Sequence, residues 1–408
     1  MTKVLVVSYH YPPFEGSCSD KNQRIVKKLL SEGFEVLVLT KNALQDIDHR
    51  ENNLTILRTK KNGLLHKSMN TVPNVSASSS KTSNYKKVVS DMMIPDSTID
   101  WYPEAKNTFK ANLDLFKNID IVFSISSPYS AHLISAYIAK KIKRPYILSY
   151  GDPWIYEPKR KRGPIRYSIE KSIEKNLVKN ASKVLVITDW NKEKYKELYD
   201  ISDEKIATYH IGFDPTDQNN NILSSSQKND NTLNIVYGGS LDEVHRNPEP
   251  FLKAMKNIEG VNLSIYNSDN SKIKDLVEEY GIKDKVSIYP LVSSAEFNEI
   301  LHQNDALLLF GNKTPFQVPG KVFNYIATEK TIIYVKNNQF DNDGTEKVLK
   351  DYDNYILTEN NADSIISNIN HFKNNNQNKE LNISSFSYLQ TMQPIVDCIN
   401  DVLKENNE

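Results

Sequence analysis

Residues 314–335, TPFQVPGKVFNYIATEKTIIYV, decide how this chain folds. Val318-Pro319-Gly320 closes a loop, and proline suits a first helical turn because its missing N–H has no helical partner to lose. Val322, Phe323 and Ile326 fall on one face of the helix that follows. That helix is expected to run to about Thr328, and Thr331–Val335 reads as a buried strand. A loop entering a helix leaves backbone N–H groups unpaired and presents the positive end of the helix dipole. Lys321 in that first turn completes a site for an anion, most naturally a phosphate. The plainer alternative is an ordinary αβ unit with a solvated lysine.

The same alternation extends in both directions. Upstream, Leu233–Tyr237 is a strand, followed by Gly238-Gly239-Ser240, a polar loop through Arg246, and a helix from about Pro248 to Asn257. Strands at Val261–Tyr266, Val286–Tyr289 and Ala306–Phe310 alternate with helices at Lys272–Tyr280 and Ser294–Gln303. This is the pattern of a doubly wound domain. Gly238 and Gly239 allow a ligand close to the backbone. Arg246 is a fork-shaped donor suited to phosphate oxygens. With Lys321 it sets two cations on loops at one sheet edge, enough to hold a diphosphate. An Asn-rich spacer (374–380) and an amphipathic helix over roughly 386–404 follow.

The N-terminal half repeats the theme. Lys3–Ser8 is a strand, the helix from about Ser19 to Ser31 follows a loop containing Gly16, and Glu35–Thr40 is the next strand. This βαβ unit belongs to a parallel sheet. It lacks a GxGxxG fingerprint, which argues against a nicotinamide cofactor. Gly16 either lets a phosphate approach the backbone or simply serves the turn. Residues 68–85 read as a polar loop. Ile119–Ile125 and Pro145–Ser149 are strands ending in SSPYSAH and YGDPW, at the sheet edge where open α/β folds keep ligands. His132 is either a proton-handling residue or a cap or packed ring, and Asp152 either a ligand group or an N-cap. Residues 159–166 are basic, and Ile165, Ile169, Ile173 and Leu177 recur every four residues, as do Lys171, Lys175 and Lys179. That predicts an amphipathic helix with a basic stripe, either merely solvated or touching an anionic membrane surface. A polar stretch at 217–232 is the expected linker.

Length and composition agree. A chain of 408 residues predicts two domains of about 200 residues each. Lysine plus arginine equal aspartate plus glutamate, 51 against 51, so charge asks for no nucleic-acid partner. Cys18 and Cys398 suggest no disulfide framework and fit a reducing compartment. The N-terminal apolar run is too short for a secretory leader, and no run approaches the roughly 18 residues of a membrane span. A soluble, cytoplasmic protein is expected.

Taken together, YPPFEGS with Arg24, SSPYSAH, GDPW, YHIGFD at 209–214, YGGS with HRNPEPF, and VPGKVFNY resemble the GT-B glycosyltransferases, above all the retaining, nucleotide-sugar-dependent enzymes of family 4. The resemblance covers nearly the whole chain. It implies two Rossmann-like domains facing a cleft: residues 1–215 on the acceptor side, 216–385 binding the nucleotide sugar, and 386–408 crossing back to the first. It implies a hexosyltransferase without metal or other cofactor, since arginine and lysine neutralise the diphosphate. By position, Gly16 approaches the donor diphosphate, Arg246 and Lys321 grip it, Gly239 and Ser240 line the pocket, and His132 and Asp152 face the cleft. The implied donor is a UDP-sugar. The implied acceptor is a bacterial surface glycan, its lipid-linked precursor or a protein, with residues 159–179 as the peripheral contact to the inner face of the membrane. Two positions depart from the family: the usual pair of glutamates eight residues apart is replaced by Phe316 and Asn324. Asn324 still offers a ribose hydroxyl a hydrogen bond, whereas Phe316 cannot replace a carboxylate. A degenerate partner or chaperone subunit of an active transferase, and a nucleotide-sugar epimerase, are the competing functions.

Overall fold

A computed structural model describes residues 1–43, 49–59, 93–157, 160, 162–218, 232–241, 246–267, 271–341, 343–375 and 381–406. The loop expected at 68–85, Lys159 and Lys161, most of the 217–232 linker and most of the 374–380 spacer lie outside these residues. The chain divides into two compact units, Met1–His210 with Met392–Glu408, and Ile211–Thr391.

The first unit is built on β1 (Lys3–Ser8), β2 (Glu35–Thr40), β3 (His49–Glu51), β4 (Leu54–Arg58), β5 (Ile121–Ser126), β6 (Tyr146–Tyr150), β7 (Lys183–Val186) and β8 (Ile206–Thr208). They form one sheet in the order β3-β4-β2-β1-β5-β6-β7-β8. Only β3 runs antiparallel, against β4. Val4, Leu5, Val6 and Val7 at the sheet centre have no exposed surface, which is why β1 reads as an unbroken apolar run rather than an alternating one. The second unit carries β9 (Leu233–Gly238), β10 (Val261–Tyr266), β11 (Val286–Tyr289), β12 (Ala306–Phe310), β13 (Thr331–Lys336) and β14 (Tyr355–Glu359), all parallel, in the order β11-β10-β9-β12-β13-β14. Its order reverses between β9 and β12, so the loops after their carboxyl ends frame the crevice of an open α/β sheet.

The helix Pro164–Asn180 corrects its sequence reading. Only the second half of the every-fourth stripe faces the core: Leu177 is buried and Ile173 packs against it, whereas Ile165 is 78% exposed and Ile169 43%. The buried face is Glu170, Glu174, Leu177 and Val178. Two carboxylates can replace apolar residues there because each is fully supplied with donors. Glu170 accepts from Arg162 Nε (2.7 Å), Arg166 Nε (2.5 Å) and Trp154 Nε1 (3.0 Å), with Arg160 at 3.5 Å. Glu174 accepts from the Tyr195 hydroxyl (2.7 Å), the Tyr199 hydroxyl (2.6 Å) and the Ile155 N–H (3.1 Å). The arginines of the basic run are therefore spent inside the unit, not displayed on a basic surface.

The chain end also differs from expectation. A 3-10 turn at Ser384–Phe386 and a four-residue helix at Tyr388–Thr391 stand where one long helix was expected to begin. The long helix is Gln393–Glu405, with proline in its first turn. It buries Ile395, Val396, Ile399 and Val402 in the first unit. There Gln393 Oε1 accepts from Lys28 Nζ at 2.7 Å. Among the described residues no helix is long and apolar enough to cross a membrane.

Candidate functional site

In the second unit the site gathers at the carboxyl end of β9. Lys321 opens a helix of only six residues, Lys321–Ile326, so backbone amides there are few and the side chain dominates. Its ammonium donates to the Gly238 carbonyl at 2.6 Å and to the Tyr237 hydroxyl at 3.3 Å, and stands 4.4 Å from the centre of the Tyr237 ring. Burial, and then the charge of Arg246, pull its pKa down to about 7. Gly239 adopts φ +128°, a conformation that favours glycine, and a Cβ there would lie 2.6 Å from the lysine nitrogen and displace it. Ser240 is exposed, and its carbonyl accepts from Tyr237 at 2.9 Å. Arg246 is half-buried and anchored by Nε (3.3 Å) and Nη2 (3.1 Å) on Asn312 Oδ1. Neither Lys321 nor Arg246 has a carboxylate partner among the described residues. An arginine close enough to lower the pKa of Lys321, with no acid between the two among the described residues, leaves a site suited to an anion. Asn324 and Phe316 are half-buried on and before the same short helix.

Three features here escaped the sequence reading. Tyr237 holds both Lys321 and the Ser240 loop, and Asn312 aims Arg246; a lone tyrosine or asparagine after a strand carries no signal of either role. The third is an aromatic shelf. Phe297 fills the place where a Cβ on Gly238 would fall, at 2.1 Å. Phe297 meets Tyr266 at 5.6 Å, and Tyr266 stacks on Tyr289 at 4.8 Å and 20°. Tyr289 remains 41% exposed at the end of β11.

In the first unit Gly16 is exposed at φ +118° before the helix Ser17–Ser31. His132 has no exposed surface. Its Nδ1 pairs with Ser124 Oγ at 2.7 Å, and its ring packs 4.5 Å from Tyr150. Burial, then the charge of Lys21, lower its pKa to about 3, so it is a neutral packed ring. Asp152 is half-buried in the turn after β6, accepts from Ser127 Oγ at 3.4 Å, and begins no helix. The structure thus gathers Lys321, Arg246, Gly239 and Ser240 in one place. Gly16, His132 and Asp152 belong to a different unit.

This topology has known counterparts. The fold is GT-B. Sucrose-phosphate synthase from Thermosynechococcus elongatus matches with a TM-score of 0.64 over 99% of this chain and 94% of its own, at 12% identity. HepE from Anabaena, in complex with UDP and glucose, matches at 0.59 over 100% of both chains, at 11% identity. The lipopolysaccharide outer core galactosyltransferase WaaB in its apo form matches at 0.59 over 98% and 99%, at 13% identity. Residues 23–217, just under half of the chain, match the family model Glycosyltransferase Family 4. No curated protein sequence matches the chain. In GT-B terms the family match falls almost wholly on the first unit, while the paired cations belong to the second.

Proposed function

We propose that the chain is a retaining, metal-independent hexosyltransferase that moves a sugar from a UDP-sugar to a bacterial surface-glycan, lipid-linked or protein acceptor. The observation that carries this reading is the Lys321–Arg246 pair, two cations at a crevice edge with no carboxylate partner among the described residues. The Glycosyltransferase Family 4 match and the UDP complexes of HepE support it. In the reaction the bond from the anomeric carbon to the β-phosphate oxygen breaks, and the acceptor oxygen bonds to that carbon on the same face. The acceptor proton passes to the departing phosphate oxygen. Lys321 and Arg246 stabilise the charge that grows on the diphosphate, the largest single service an enzyme can render such a step. The shelf of Tyr266 and Tyr289 offers a flat apolar surface for a base. The exposed Ile165 and Ile169, beside Lys175 and Lys179, make the outer face of their helix the contact with an anionic membrane.

The test is a binding and hydrolysis screen of the full chain against a panel of nucleotide sugars. A selective rise in melting temperature with slow release of UDP is expected, and Lys321→Ala should abolish both. Near-normal turnover in that variant would remove the assigned role. Folded protein that binds no donor would favour the partner-subunit function, with Phe316 and Asn324 as marks of a lost site.

A further inference from the structure

The carboxyl edge of the first unit's sheet holds a second set of cations that the donor site does not use. Lys21 lies in the helix Ser17–Ser31 and is only 6% exposed. Among the described residues its ammonium has one hydrogen-bond partner, the Ser126 carbonyl at 3.1 Å, and a Cβ on Gly151 would lie 2.5 Å from it. The side chain of Lys41, just after β2, makes no hydrogen bond and no ion pair among the described residues. Its ammonium stands over the Phe14 ring at 3.8 Å and the Tyr9 ring at 4.5 Å. His10 is joined to both: its ring meets Tyr9 edge-on at 5.0 Å, and Asn22, next to Lys21, donates to its carbonyl at 2.8 Å. The charges of Lys41 and Lys21, after burial, lower the His10 pKa to about 4, so both ammoniums act on one neutral imidazole. Arg58 spends its guanidinium on the Pro12 and Lys41 carbonyls and so fixes the loop.

A buried ammonium without a carboxylate is expensive unless an anion arrives to meet it. Aspartates and glutamates do lie near: the charges of Asp100, Glu104 and Asp96 reach the Tyr9 hydroxyl. None of them pairs with Lys21 or Lys41. Two positive charges and a neutral ring that can donate or accept match a doubly charged phosphate better than a single carboxylate.

We propose that Lys21 and Lys41, with His10, form a subsite for a phosphate group carried by the acceptor. The word acceptor rests on the transferase reading; the phosphate site itself does not.

The test uses the full chain carrying Lys321→Ala and Arg246→Ala, which removes the donor-side cations, and measures binding of inorganic phosphate by calorimetry. Binding should persist in that background. Adding Lys41→Met should weaken it about tenfold, and adding Lys21→Met more than that, whereas Lys41→Arg should restore it. The Lys41 side chain makes no hydrogen bond among the described residues, so its variant stays folded even where Lys21→Met does not. A folded Lys41→Met chain that binds phosphate unchanged overturns the proposal. So does a loss confined to UDP binding in the chain with Lys321 and Arg246 intact, which would assign the lysines to the donor. Sedimentation with phosphatidic acid vesicles that depends on Lys41 would make the source a lipid headgroup; phosphate binding without such sedimentation would make it a free sugar phosphate. Failure of turnover leaves these readings of phosphate untouched, so the two ideas fail separately.

Discussion

Lys321 sits where its neutral form is nearly as comfortable as its charged one. With its pKa lowered to about 7, it takes up a proton when a diphosphate binds beside it. UDP affinity should therefore weaken as pH rises from 7 to 9, by up to about tenfold per unit, and Lys321→Met should flatten that profile; calorimetry in two buffers of different ionisation heat would read the proton directly. Glu174 titrates in the same range, but its proton bears on the stability of the fold. Burial raises its pKa from the ordinary 4.5 to about 7, against the pull of Tyr199, Tyr195 and the Ile155 N–H. A raised folded pKa favours the fold fully below the unfolded value, and that contribution disappears as pH rises through about 7. Between pH 5 and pH 8 the stability of Glu174→Gln relative to the parent should shift in favour of glutamine, on the order of 1–3 kcal/mol in melting experiments. The sequence made Lys321 and Arg246 legible because one follows and the other ends a loop of recognisable shape. It could not reveal Lys21, whose burial depends on Gly151 and Ser126, more than a hundred residues away.

Among elements, the helix Pro164–Asn180 teaches most. Its period was legible and its orientation was not, because isoleucine every fourth residue normally marks a core face. Orientation was decided by donors from elsewhere: Trp154, Arg162, Tyr195 and Tyr199 make a buried face out of glutamates. Two substitutions separate the readings. Arg162→Ala removes a 2.7 Å partner from a buried charge and should cost about 3 kcal/mol in denaturant unfolding. Ile165→Lys, at 78% exposure, should change stability by less than about 0.5 kcal/mol, while Ile165→Lys with Ile169→Lys should reduce sedimentation with anionic vesicles. The strands were easier to read, since a parallel sheet covered on both faces leaves long apolar runs such as Lys3–Ser8 and Thr331–Lys336. The long final helix was placed too early. Pro394 in its first turn was the available signal for where it starts.

For the whole molecule, the doubly wound architecture of both units followed from strand and helix alternation, which is set by local periodicity. Which unit the last helix completes is a tertiary fact. Ending the chain at Thr391 removes Ile395, Val396, Ile399 and Val402 from the first unit, four buried side chains worth about 1.5–3 kcal/mol each. That rivals the total stability of an ordinary domain. Such a truncation should melt the first unit well below the parent's transition while the second still binds UDP, as two separate transitions in calorimetry with and without the nucleotide would show.

The first unit is also interrupted in time. A ribosome that has finished His210 must translate the 181 residues Ile211–Thr391 before it reaches the helix that closes the first unit. At usual elongation rates that takes roughly 10 to 40 s. Throughout that interval β7 and β8 lack the apolar helix that covers them, while the second unit, continuous in sequence, can already fold. The half of the protein made first is therefore completed last, and a nascent chain stalled inside the second unit should be cut by protease in the first.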